Sequence, residues 1–316
     1  TIVIHEQELI VFHNSTAAGK LGLAPLEDIS YQGAGMSALW EPAQLPQTDA
    51  LDIARSGAAT DWSSYQYLNL WVYSRTADGS YFDVALATGQ GEMHTARVDV
   101  NWEEHWRTIS LPLADFTGGM PQSAVQQLSL AAGGQTEYTG LYLDRITVSK
   151  QLPTDIALED AEIATFGTAA DVRQWNLQQE AETLRYRPMT GRWEHSGLAR
   201  TAKYDLQRAQ RQTDWSAFTY FNLWVHSAAA TNGSFSVVME GENGYWRSKI
   251  PVDWEGWRLV SLPLSAATAY GDIADWTELQ TVYLDTGGWD TSMDEQTVLC
   301  LDRMWLSREM PVGGTL

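Results

Sequence analysis

Short stretches of this chain alternate between apolar residues and polar or aromatic ones. Over residues 67–73, Leu68, Leu70 and Val72 fall on one side of an extended strand, and Tyr67, Asn69, Trp71 and Tyr73 on the other. Over 220–226, Phe221, Leu223 and Val225 oppose Tyr220, Asn222, Trp224 and His226. The same period predicts strands over 81–87, 96–100, 107–111, 128–131 and 141–148, and again over 235–239, 247–252, 258–262, 281–285 and 298–306. Turn formers punctuate them: Asp78-Gly79, Asn232-Gly233 and Asn243-Gly244. Helical patterning is scarce, with one turn expected around Trp276-Thr277-Glu278-Leu279. Many short strands separated by turn signals predict an all-β chain built as β-sandwiches.

The pattern occurs twice. Asp61-Trp62-Ser63 and the strand after it return as Asp214-Trp215-Ser216 and its strand, 153 residues on. Val100-Asn101-Trp102 returns as Val252-Asp253-Trp254, Ser110-Leu111-Pro112-Leu113 as Ser261-Leu262-Pro263-Leu264, and Leu143-Asp144-Arg145 as Leu301-Asp302-Arg303. The offset grows before the last block, which places an insertion in the second copy around residues 287–295. A unit of about 150 residues is a whole domain and not a solenoid repeat. The expected organisation is a domain over 1–150, a second copy over 154–309, and a linker or tail over 310–316. Pro153 closes the first copy, and the tail is expected to have led to a further domain.

Composition narrows the function. With 44% hydrophobic and 19% charged residues, the chain has the makeup of a folded protein. The net charge of −20 argues against nucleic acid and anionic membrane surfaces as partners, because the basic footprint is missing. It suits a secreted, soluble protein. No apolar run approaches the length of a membrane span. Thr1 is not preceded by a charged-then-apolar leader, so any export signal is expected to have been removed or never to have been part of this sequence. The lone Cys300 lies in an apolar strand and reads as a buried core residue. The 15 Trp and 13 Tyr stand out, since flat aromatic rings make platforms for ring-shaped ligands.

The stretch from Asp253-Trp254-Glu255-Gly256-Trp257-Arg258 through Leu262-Pro263-Leu264, the Trp-rich strand before it and the closing Val298-Leu299-Cys300-Leu301-Asp302-Arg303 resemble jelly-roll carbohydrate-binding modules. These modules accompany secreted bacterial glycoside hydrolases and polysaccharide lyases, and the resemblance covers most of both copies. It implies two tandem galactose-binding-like jelly rolls that hold a covalently linked catalytic domain on a polysaccharide. It also implies a structural calcium ion (Ca2+) in each copy, held by an early acidic residue and an aspartate of the final strand. In copy two these are Asp302 with Asp160 or Glu162. In copy one Asp144 matches, but Phe12-His13-Asn14-Ser15 lacks the early acid, which weakens the expectation there.

The residues themselves leave alternatives. Alternation through Val298, Cys300, Asp302 and Met304 turns Asp302 toward an apolar layer, where a carboxylate needs a partner. Calcium, an arginine such as Arg145 or Arg303 from a neighbouring turn, or backbone amides would each serve. Trp71 with Tyr73, and Trp224 with His226, form outward rows that suit stacking on sugar rings, with Asn69 and Asn222 to bind hydroxyls. The alternative is packing beneath a covering loop. The hairpin of copy two gathers Glu240, Glu242, Tyr245, Trp246, Arg247 and Lys249, where copy one has the blander stretch 85–97. Its cations suit a sugar carboxylate or sulfate, or simply water. Glu240 and Glu242 share a strand face but lack any further catalytic motif, so no catalytic residue is assigned. The six His show no metal-ligand spacing. Trp102, Trp106, Trp254 and Trp257 read as corner packing. The leading expectation is therefore a non-catalytic polysaccharide-binding tandem. Spacer or docking domains come second, and a polysaccharide-active enzyme third.

Overall fold

In the computed structural model, which describes residues 6–33, 35–89, 91–157, 159–181, 183, 185–288, 290–311 and 313–315, the alternating stretches are strands. His5, Gln90, Trp289 and Val312, which belong to features considered above, lie outside the described residues. The chain divides into two units, Thr1–Glu159 and Asp160–Leu316.

The first unit contains β1 (Glu6–Val11), β2 (Ala24–Leu26), β3 (Ser37–Trp40), β4 (Leu51–Asp52), β5 (Tyr67–Ser74), β6 (Tyr81–Thr88), β7 (Met93–Asp99), β8 (Trp106–Pro112), β9 (Val125–Gly133) and β10 (Leu141–Ser149). One sheet runs β2-β3-β10-β5-β8 with β1 also on β10; the other runs β4-β9-β6-β7. The second unit contains β11 (Ala161–Ala164), β12 (Gln178–Glu180), β13 (Thr190–Glu194), β14 (Tyr204–Asp205), β15 (Tyr220–Ser227), β16 (Gly233–Gly241), β17 (Gly244–Val252), β18 (Gly256–Pro263), β19 (Thr268–Gly271), β20 (Leu279–Asp285), β21 (Val298–Ser307) and β22 (Gly314–Thr315). Its sheets run β12-β13-β21-β15-β18-β22, with β11 on β21, and β14-β20-β16-β17-β19. Each unit is an all-β sandwich. Residues 276–279 are not helical: Asp275 accepts from the Thr277 amide (3.0 Å), and Leu279 already begins β20.

The cores follow from the alternation. In the first unit Leu68, Leu70 and Val72 of one sheet meet Phe82, Val84 and Leu86 of the other. In the second, Phe221, Leu223 and Val225 meet Phe235, Val237 and Met239. Each such side chain, fully removed from water, contributes roughly 1.5–3 kcal/mol.

The repeated motifs are joints of this scaffold. Asp61 and Asp214 each accept from the amide and hydroxyl of the serine two residues on. That fixes the turn which buries Trp62 and Trp215, whose indole N–H groups donate to the carbonyls of Ala59 and Gln212 (2.8 and 2.7 Å). Arg107 donates to Asn101 (2.6 Å) beside buried Trp102, and Arg258 to Asp253 (2.7 Å) beside buried Trp254.

Two sequence expectations need correction. The core members of β10 are Leu141, Leu143, Ile146 and Val148, and those of β21 are Leu299, Leu301, Met304 and Leu306. Spacings of two, three and two mark a β-bulge at Asp144-Arg145 and at Asp302-Arg303, where the pairing with β5 and β15 shifts. Asp302 therefore does not share a side with Met304. It lies on the outer face, opposite the core. The boundary between units also falls later than expected, because residues 155–157 pack on the first unit.

Candidate functional site

The outer face of each first sheet is covered. Trp71 is buried, and its ring lies against Tyr31, Trp106 and Ala157. Its indole N–H donates to the Asp155 carbonyl (3.1 Å), and the Arg145 guanidinium lies 4.2 Å from its ring centroid. Tyr73 packs edge-on to Trp106 and Tyr142. In the second unit Trp224 is half-buried beneath Arg185, 4.1 Å from the ring centroid, and His226 meets Trp257 edge-on at 5.3 Å. Burial pushes His226 below its ordinary pKa and outweighs the nearby charge of Glu255, so the ring is neutral at pH 7. The expected hydroxyl-binding amides point elsewhere: Asn69 donates to Ser149 (2.8 Å) and Asn222 to Ser307 (2.9 Å), both buried. Trp71 thus packs under cover, while Tyr73, Trp224 and His226 keep part of their surface exposed.

The residues expected to hold calcium do not fit that ion. Calcium takes six to eight oxygen ligands. The fully buried Asp302 carboxylate is instead met by guanidinium nitrogens, of Arg185 at 2.9 Å and Arg187 at 3.5 Å. Burial lowers Arg187 to about 10, against the pull of Asp302, so it stays charged. Glu162 faces Arg211 (3.6 Å) and Arg303 (3.9 Å). Burial lifts the Asp160 carboxyl to about 7, opposed by Arg303, a Trp305 hydrogen bond and Arg308. In the first unit Asp144 has Arg145 at 3.8 Å, and Arg145 also bonds Asp155. Burial raises Asp144, opposed by Arg145 and the Tyr31 amide. Among the described residues no three His, Cys, Asp or Glu gather where they would hold a metal ion.

Open chemistry lies on the opposite side of the second unit, on the outer face of its five-stranded sheet. Core residues Val237 and Met239 of β16 turn Ser236, Val238 and Glu240 outward, and the register brings them to Lys249, Arg247 and Tyr245 of β17. On the other flank they pair with Asp285, Tyr283 and Thr281 of β20. Tyr245 in turn pairs with Tyr270 of β19, the two rings stacked at 5.0 Å and both half-buried. The Glu240 carboxylate is tied down from three directions. It accepts from Lys203 Nζ on both oxygens (2.8 and 2.6 Å), from Thr281 Oγ1 (2.9 Å) and from Tyr283 Oη (3.1 Å). Burial alone would raise its pKa, but these donors and the charge of Lys203 outweigh burial and hold it below the ordinary glutamate range. Burial and the Glu240 charge push the Tyr283 phenol up, so it remains a donor.

Glu240, Tyr245, Arg247 and Lys249 thus come together, while Trp224, His226 and Asn222 lie on the other sheet. Trp246 also departs from the group. Strand alternation turns it to the core side, where it stacks on Trp276 at 4.5 Å. Arg247 is buried, and Lys249 is exposed, but each already has a partner. Arg247 donates to the Gly288 carbonyl (3.3 Å) and Lys249 to that of Asp290 (2.5 Å), so both hold the loop that the second copy inserts. Glu242 lies past the end of β16, exposed in the turn, and shares no strand face with Glu240. The residues missed by sequence reasoning are Lys203, Tyr270, Thr281 and Tyr283. Alternation about buried Val282 and Leu284 was a usable signal for Thr281 and Tyr283.

The equivalent face of the first unit is blander. Matching the core positions Val84 and Leu86 to Val237 and Met239 sets Ala85 and Ala87 where the second unit has Val238 and Glu240. Ser129 and Ala131 stand in for Tyr283 and Asp285. A cluster of Asp83, Arg97 (3.0 Å apart) and Tyr81 sits toward one end.

No protein-family model matches the chain, and no curated protein matches it. Among solved structures it is similar to a family 11 carbohydrate-binding module from Clostridium thermocellum in complex with a β-1,3-1,4-mixed-linked tetrasaccharide, at 14% identity over 48% of this chain and 99% of that one, with a TM-score of 0.33. It is similar over 98% of its length to the whole N-terminal CBM22-1–CBM22-2 tandem domain of Paenibacillus barcinonensis Xyn10C, which is covered at 100%, at 11% identity and a TM-score of 0.33. A family 30 carbohydrate-binding module matches 48% of this chain and 94% of its own, at 14% identity and a TM-score of 0.33.

Proposed function

We propose that this chain is a non-catalytic glycan-binding protein and that its binding surface is the outer face of β14-β20-β16-β17-β19 in the second unit. The observation that carries this reading is the juxtaposition of the Tyr245–Tyr270 pair with the fixed Glu240–Lys203–Thr281–Tyr283 network on one sheet face. Rings offer apolar surface to the C–H faces of a sugar, and a pre-organised polar network meets its hydroxyls without reordering. The cations of this face are already engaged by Glu240 and by loop carbonyls, which favours an uncharged polyol chain over a sulfated or uronate polymer. Glu240 is an anchored anion whose described partners are Lys203, Thr281 and Tyr283 and include no second carboxylate, which supports binding without hydrolysis. An extracellular setting and an attached polysaccharide-degrading domain belong to the same reading. Buried Trp71, and Trp224 half-buried beneath Arg185, favour a scaffold role for the two first sheets alongside it.

Affinity electrophoresis of the full chain in gels containing neutral and acidic polysaccharides tests the proposal. Retardation is expected in at least one neutral polymer, and it is expected to weaken for Tyr245→Ala and Tyr270→Ala by roughly tenfold in affinity. Unretarded migration throughout the panel would refute it.

A further inference from the structure

We infer that arginine takes over, in both units, the charge compensation that a structural calcium ion was expected to supply at the closing-strand aspartate, so that each sandwich closes without metal. The starting point is the repeated Asp-Arg step at Asp144-Arg145 and Asp302-Arg303, which forms a β-bulge in each unit. A bulge sets two residues against one on the neighbouring strand, and here the one is Trp71 or Trp224. Each bulge therefore places an aspartate on the outer face beside an indole ring. A guanidinium serves both, pairing with the carboxylate and stacking its plane on the indole.

The two units reach this arrangement from different places in the sequence. In the first, Arg145 of the bulge itself lies over Trp71 at 4.2 Å, with Asp144 at 3.8 Å, and bonds the Asp155 carboxylate. Asp155 also accepts from Tyr31 Oη at 2.8 Å, so the cover is fastened from both sides. In the second, the sequence-equivalent Arg303 goes instead to Trp305, at 4.3 Å, and toward Glu162. The place over Trp224 is taken by Arg185 at 4.1 Å, which donates to Asp302 at 2.9 Å, with Arg187 as a second cation. Two guanidinium charges around one buried carboxylate leave a site that repels a divalent cation.

Calorimetric unfolding of the full chain, stripped with chelator and then measured with and without millimolar calcium, tests the inference. The melting profile is expected to be unchanged, and elemental analysis is expected to find no stoichiometric calcium before stripping. The double variant Arg185→Ala/Arg187→Ala is expected to lower the melting of the second unit by roughly 10 °C, because it strands a buried carboxylate. Adding Asp302→Asn to that variant is expected to recover most of the loss. If the double variant does not fold, the triple variant and the chelator comparison on the wild-type chain still decide the matter. Calcium that raises the wild-type melting temperature by several degrees, or one retained ion per unit, would overturn it. So would a double variant as stable as wild type.

Discussion

At the residue scale, the clearest contrast is between aromatic side chains that pack and those that remain available. Trp71 alternates outward from the core, yet it is as buried as a core residue because Tyr31, Ala157 and Arg145 cover it. Trp71→Ala is expected to destabilise the first unit by about 3–5 kcal/mol, read by denaturant unfolding, and to leave glycan retardation unchanged. Alternation made the direction of the Trp71 side chain legible. The cover was not legible, because Tyr31 and residues 155–157 meet only after the chain has folded. Glu240 allows a pH test with a definite sign. Its folded pKa is depressed below 4.5, so its contribution to stability is fully present above that pH and is lost as pH falls through the folded value. Wild type and Glu240→Gln are therefore expected to differ most in melting temperature near neutrality, and the difference should shrink below about pH 4.5.

At the element scale, strands with strong alternation were legible and their facing was not always so. The predicted strand over 281–285 matches β20, Leu279–Asp285, and that over 107–111 matches β8, Trp106–Pro112. The β-bulge at Asp302-Arg303 defeated parity counting, because one extra residue exchanges the faces of everything beyond it. Two-residue strands such as β14 carry no period at all, which is why Lys203, just before it, was not foreseen. Strand β19 is the element that widens the proposed face beyond the four strands of the first unit's equivalent sheet. Pairing at Gly244↔Gly271 brings the two backbones so close that a Cβ at Gly271 would sit 2.6 Å from the Asn243 carbonyl oxygen, and Gly271 has φ +78°. Gly271→Val is expected to detach β19, weaken glycan binding and leave the core of the unit folded, as judged by near-UV circular dichroism and retardation together.

At the scale of the whole molecule, the repeat was legible from motifs such as Asp61-Trp62-Ser63 and Asp214-Trp215-Ser216, and those motifs turn out to be joints of the scaffold. The difference in function between the copies lies where the repeat breaks down, with Glu240 and Tyr283 in one unit and Ala87 and Ser129 in the other. A tandem in which one unit carries the binding face is expected to bind an oligosaccharide with a stoichiometry of one per chain by calorimetry, and two equivalent sites would show the first unit to be a partner in binding. The most direct measurement of the central claim is affinity electrophoresis of three versions of this chain in one gel series: wild type, Tyr245→Ala/Tyr270→Ala, and Trp224→Phe. The account predicts that wild type and Trp224→Phe are retarded alike by a neutral polysaccharide and that the double variant migrates freely. A double variant retarded as strongly as wild type, or a Trp224→Phe protein that alone loses retardation, would contradict it.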